Sequence, residues 1–251
     1  SAGLAGVILV DHVIFTAPIA QVVNGLGLRA RAFGGIMLNH PLGGLNPFAV
    51  ESALRLGTKQ ISMPTYSAAA HIEKYGALHP AFPYAQKEGG IKILDGKGRV
   101  KKEVEEILDL LKEGTAHLAT GHLYPQEIFR LVRRAKERHL PRILVNSTST
   151  DIVALPLDMQ KELAGDGVFF EHTYLALTST THHPTTMERI AHEIKSVGPQ
   201  NCIIASDTGQ PENPDLATAL EEFIKGLIGA GLTEGDIIMM IRDNPSRLLA
   251  L

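Results

Sequence analysis

The chain has 251 residues, 44% of them hydrophobic, and a formal net charge of −3; this is the make-up of one barrel-sized globular domain over 1–251. A pI near 6.4 argues against a nucleic-acid surface, which needs clustered Lys and Arg. The lone Cys202 excludes an internal disulfide and a thiolate pair for zinc. No apolar run reaches the ~18–20 residues that span a bilayer and no signal-peptide pattern opens the chain, so a cytoplasmic protein without membrane contact is expected.

In chain order, short apolar runs rich in β-formers fall at 6–11, 32–39, 59–65, 116–121, 142–147, 168–173 and 202–207. They are continuous rather than alternating, as strands buried on both faces are. Segments of helical period follow at 47–56, 67–75, 101–113, 125–138, 155–164, 185–197, 214–230 and 234–249. The order reads as strand, helix, strand, helix throughout, although no segment of helical period is assigned between the first two strands. Pro47, Pro125 and Pro214 sit where a first helical turn tolerates proline, and Asn46 and Asn213 are good N-caps. Thr233 to Asp236 resembles a capping box. Arg130, Arg133, Arg134, Lys136 and Arg138 read as the wet face of one helix.

Residues 76–100 interrupt the rhythm as an insertion near the strand tips. Within it, 90–100 alternates around Asp95-Gly96 and predicts a β-hairpin. Repeated strand–helix units call for an α/β fold with a parallel sheet, here a (β/α)8 TIM-like barrel. Only seven strands are counted, and residues 1–6 read as the end of a helix, so the first strand is expected to lie upstream. An incomplete barrel would expose strand edges and favour a homo-oligomer.

Polar residues at the C-terminal strand tips converge on one mouth in such a barrel. They are Asp11 and His12, Asn39 and His40, Thr65, His122, Asn146 and Ser147, Glu171 and His172, and Asp207. Histidines with a carboxylate suit a divalent metal, zinc foremost, which turns bound water into a nucleophile at neutral pH. His122, Asp207, His172 and His12 are the candidate ligands, with Asp207 and His172 as candidate acid–base residues. The bland alternatives are a turn cap for Asp207, a backbone-bonded turn histidine for His122 and a packed histidine for His172. His71, His79, His182 and His183 read as solvated loop or helix-end residues. His117, His139 and His192 read as strand-base or helix-surface positions. Gly43-Gly44 with Asn46 reads as a tight turn and cap rather than an anion site. Dinucleotide, P-loop and nucleophile-elbow motifs are absent from the sequence.

Thr120-Gly121-His122, Glu171-His172, Ser206-Asp207 and the closing Asn244-Pro245-Ser246-Arg247-Leu248-Leu249 resemble the amidohydrolase superfamily of metal-dependent hydrolases. The stretch from Gly34 to Pro47, with Met63-Pro64-Thr65 and the Gly90 to Val100 hairpin, resembles a branch of unassigned function. The resemblance implies a barrel with one or two divalent ions, hydrolysing an amide, ester, lactone or phosphoester bond of a small molecule. By position, His122 matches the metal histidine of the fifth strand and Asp207 the aspartate of the eighth. The superfamily's His-x-His pair has no counterpart here. Asn146-Ser147 stands where the sixth strand brings a histidine, and Met63-Pro64-Thr65 lacks a bridging lysine. A single ion on His122, Asp207 and either His172 or His12 is the metal centre that remains. The alternatives are a small-molecule or partner-binding barrel that has lost its metal site, and a single-metal decarboxylase or hydratase.

Overall fold

The structure, a computed structural model, describes residues 3–75, 89–165 and 167–251. His79 and the 76–88 portion of the expected insertion lie outside the described residues. The chain forms two compact units, 1–143 and 144–251.

In the first unit β1 (Gly6–Leu9), β2 (Arg31–Met37), β3 (Gln60–Ser62) and β4 (His117–Ala119) pair side by side in chain order, all parallel. Leu9 sits opposite Gly34, Met37 opposite Ser62, and Ser62 opposite Ala119. Leu118 N–H donates to the Arg142 carbonyl at 3.2 Å, which carries the pairing to the entrance of β5 (Ile143–Val145). The crossovers are α1 (Ala17–Gly25), α2 (Pro47–Arg55), α3 (Ala69–Tyr75), α4 (Lys102–Leu110) and α5 (Pro125–Glu137).

Helix α1 fills the place between the first two strands where the alternation calls for a helix but no segment of helical period is assigned. A parallel pair needs a crossover of a dozen residues or so, and Pro18 stands in the first turn of α1. The pattern is hard to read because Ile19 and Val22, both exposed, put apolar side chains on the outer face. Ala17 and Ala20 are the buried ones. Ala17 lies so close to β2 that a Cβ at Gly34 would come within 2.3 Å of the Ala17 Cα.

The predicted strands overshoot because the chain stays apolar past the last sheet bond. Leu38, Met63 and Leu123 are fully buried although none lies within a strand. Ile36, Ile61 and Leu118 of the sheet, Val104, Ile107 and Leu108 of α4, and Ile128 and Leu131 of α5 are all buried in the core. The basic face of α5 is less solvated than expected. Arg134 reaches Glu105 at 2.8 Å, and Arg138 reaches the same carboxylate at 2.5 Å.

The expected hairpin is present as one antiparallel bridge, Leu94 to Val100. It is fastened to α5 through buried Glu127, whose Oε1 accepts Ile93 N–H at 2.8 Å. Its entry is tied just beyond the β3 tip, where Ile91 N–H donates to the Ser67 carbonyl at 2.7 Å.

The second unit holds the remainder of β5, β6 (Val168–Thr173) and β7 (Cys202–Ala205), with α6 (Leu157–Leu163), α7 (Met187–Val197), α8 (Leu216–Gly229), α9 (Glu234–Ile238) and α10 (Asn244–Leu249). Strands β6 and β7 are parallel, with Phe170 opposite Cys202 and Thr173 opposite Ala205. The predicted helix 234–249 is α9 and α10 joined through a π-helical turn at Met239–Asp243. It starts on the expected capping box of Thr233 and Asp236. Asn244, almost fully buried, donates to the carbonyls of Pro199 and Cys202 at 2.8 and 2.7 Å. The closing Asn-Pro motif is therefore a structural clasp on the entry to β7.

Candidate functional site

In the first unit the tips of β1 and β4 and the start of α3 bring three histidines, His12, His122 and His71, together. Asn39, past the end of β2, ties the His12 backbone to the chain after β3. Its Oδ1 accepts the Thr65 and Ser67 N–H groups at 2.8 and 3.1 Å. Its Nδ2 donates to the Thr65 hydroxyl at 2.7 Å and to the His12 carbonyl at 2.9 Å. With its amide so engaged, Asn39 is nearly fully buried without an orphan. The Thr65 hydroxyl lies 2.8 Å from His12 Nδ1.

Tyr66 stacks on the His12 ring with centroids 3.8 Å apart, and His71 of α3 stacks on His122 at 5.0 Å. The Nδ1 atoms of His71 and His122 are 3.0 Å apart, so one ring donates and the other accepts. Burial, then the His71 and His12 rings, hold His122 well below the usual histidine range. His122 can approach β3 so closely because Gly121 has φ 61°, and a Cβ there would come within 2.4 Å of the Met63 and Pro64 carbonyl oxygens.

His71 is the residue that sequence reasoning missed. It is buried, not solvated, and the Ala68 to Ala70 run ahead of it was its only signal, since small residues let a helix approach. His40 instead ties its Nε2 to the Gly89 carbonyl at 2.7 Å. Gly43 and Gly44 adopt φ 85° and 66° beside the Asn46 cap, as a tight turn requires.

In the second unit the tips carry carboxylates. Glu171 and His172 are neighbours on β6 and so face opposite sides. Glu171 Oε2 accepts Asn146 Nδ2 at 3.1 Å and Ser147 N–H at 3.2 Å. Burial raises the Glu171 carboxyl, and these two donors partly offset the rise. Burial, and then the like charge of Glu171, push Asp207 up to about 7. Protein crowds this carboxylate although the residue is exposed to solvent. Of the two causes, the Glu171 charge is the one that exposure leaves standing. Asp207 and Ser147 also take left-handed backbone, φ 57° and 47°, unusual for residues with a Cβ.

On the other face, the Ser149 hydroxyl donates to Glu193 Oε2 of α7 at 2.6 Å and lies 2.7 Å from His172 Nδ1. A carboxylate only accepts, so the serine proton is committed to Glu193 and His172 Nδ1 must be the donor to serine. His172 Nε2 is then a lone pair, buried and unpartnered. Burial lowers His172 to about 3, and its neutral ring faces α7 rather than the Glu171 side.

Of the four expected ligands, His12 and His122 share the first-unit cluster. Asp207 is coupled to Glu171, and His172 is bonded into the helix layer. Nδ1 of His12 is engaged with Thr65, and that of His122 with His71. Among the described residues no group of three or more His, Cys, Asp or Glu side chains is arranged to hold a metal ion. As placed, the side chains do not fit one. His117 is fully buried and bonded through Nε2 to Gln60 at 3.1 Å, while His182 and His183 are exposed.

Known structures share this fold. An amidohydrolase from Pseudomonas aeruginosa is 12% identical with a TM-score of 0.62, over 97% of this chain and 78% of that one. A doubly substituted organophosphorus hydrolase from Deinococcus radiodurans is 15% identical with a TM-score of 0.63, over 99% and 79%. The chain thus has an α/β, TIM-barrel-like fold. Residues 1–171 match the Family of unknown function (DUF6282), and the chain belongs to that family. No curated protein matches the sequence. Among the described residues no helix is long and apolar enough to cross a membrane.

Proposed function

We propose that this chain is a hydrolase that cleaves an amide, ester or lactone bond of a small molecule, with Asp207 as general base. One observation carries the reading: a carboxylate just past the end of β7 lies close enough to Glu171 for that like charge to raise it, toward the range where a base operating near neutral pH is most effective. Asp207 takes a proton from water as the water oxygen bonds to the carbonyl carbon. The same proton then passes to the departing nitrogen or oxygen as its bond to that carbon breaks. Glu171, held by Asn146 and Ser147, keeps Asp207 basic enough to accept the proton. Replacing Asp207→Asn should lower turnover of a lactone or ester by ~100-fold or more with an unchanged circular dichroism spectrum. Retained turnover would sink the reading.

A second reading, a zinc-activated water, draws on the imidazole-rich cluster of His12, His71 and His122. As placed, those groups do not fit an ion. Dialysis against EDTA separates the readings. The Asp207 reading expects activity to survive, and loss that zinc restores would favour the metal.

A further inference from the structure

Three segments supply the strand tips of the second unit: 146–151, 171–186 and 206–215. They contain no Lys or Arg. Every full charge in them is a carboxylate: Asp151, Glu171, Asp207, Glu212 and Asp215. Asp215 is spent on capping α8, where its Oδ1 accepts Ala217 N–H at 3.0 Å. Of these, Asp207 is the one raised by the neighbouring charge of Glu171.

Acidic side chains alone do not define a ligand; an orphaned hydroxyl beside them adds a second, independent sign. Thr173, 1% exposed, has a buried Oγ1 with no hydrogen-bond partner. It is two residues past Glu171 on an extended strand, so both side chains lie on one face. Its strand partner is Ala205, two residues before Asp207. Leaving a buried hydroxyl unpaired is unfavourable, and in a native protein such a group marks a missing partner. Thr208, next to Asp207, also has a buried, unpartnered Oγ1. The Glu171 and Thr173 face therefore offers a carboxylate and a hydroxyl oxygen as acceptors, with the Asp207 carboxylate close enough to feel the Glu171 charge. The complementary group is a compact cation rich in N–H donors.

We infer that the Glu171 and Thr173 face beside Asp207 is a subsite for a protonated amine on the substrate. An ammonium brings three donors and no acceptor, which suits Glu171 and Thr173 while leaving Asp207 for the reacting bond. A carboxylate ligand would meet like charge, and a neutral alkyl group would leave the Thr173 hydroxyl unpaired. The inference rests on the hydrolase reading only in taking Asp207 to mark the reacting end.

Binding of three matched amides, measured by ligand-observed NMR with EDTA present, tests it apart from turnover. The probes are 4-aminobutanamide, butanamide and succinamate. The first should bind about tenfold more tightly than butanamide, and succinamate should be weakest. Glu171→Gln should bring 4-aminobutanamide down to the level of butanamide, and Thr173→Val should weaken it several-fold. Equal binding of all three, preference for succinamate, no binding of any at millimolar concentration, or indifference to Glu171→Gln would each overturn the inference. Selectivity for the amine in a protein that turns over no ester would leave the subsite standing and remove the hydrolase reading.

Discussion

Asp207 holds left-handed backbone at the end of β7, a conformation that costs a residue with a Cβ about 1–2 kcal/mol. Its carboxyl is raised from 3.8 to about 7, so the folded state favours the protonated form. The stability tied to that proton is fully present below about pH 4 and is lost as pH rises through about 7. Asp207→Gly removes both the strain and the charge. It should raise the melting temperature, by an increment larger at pH 8 than at pH 4, while abolishing turnover. An increment independent of pH would mean that Asp207 does not titrate as placed. In the intact protein the rate should climb with pH through about 7 to a plateau, since the base must be deprotonated. His172 obeys a different logic. Ser149 and Glu193 fix its tautomer from the α7 side, and the strand pleat turns it away from Glu171. Its presence at a strand tip in sequence did not reveal that orientation.

At the level of elements, close approach of backbone to backbone decides where the tips point. Gly34 lets α1 lie against β2, and Gly121 lets the chain after β4 pass under the Met63 and Pro64 carbonyls to deliver His122. At Gly121 the positive φ and the absent Cβ are both required. Gly121→Ala should destabilise the protein by about 3 kcal/mol, measured by urea unfolding, and should separate the His71 and His122 rings. An unchanged midpoint would show that the tip can relax. Glu127 joins the hairpin to α5 in the same local manner, since one carboxylate accepts from Ile93 N–H and also reaches back to Tyr124 N–H at 3.4 Å. The cap and turn residues at Asn46, Thr233 and Asp236 were legible in the sequence because they act within three residues. Helix α1 was not, because its inner face is alanine and its outer face apolar.

Across the whole molecule, buried neutral histidines set the acid limit. His117 and His172 are each lowered from 6.5 to about 3, His117 by burial first and then by Arg142 and Lys59. The unfolded chain binds protons at these groups below about 6.5 while the folded chain does not. Stability is therefore present above that pH and lost as pH falls toward 3. Urea midpoints should drop between pH 7 and pH 5, and the drop should shrink in His117→Gln. An equal drop in that variant would assign the acid sensitivity elsewhere.

The strand–helix alternation, the parallel class of the sheet, and the tip residues Asn39, Thr65, His122, Glu171 and Asp207 were legible from sequence. Buried parallel strands write themselves as unbroken apolar runs, and the polar residue that ends each run is the one left at the tip. Three things needed the folded chain: the pairing of His71 with His122, the coupling of Asp207 to Glu171, and the commitment of His172 to Glu193. Each joins residues between 21 and 51 positions apart through strand register and side-chain direction, and a linear sequence carries no record of which distant residues come to share a face.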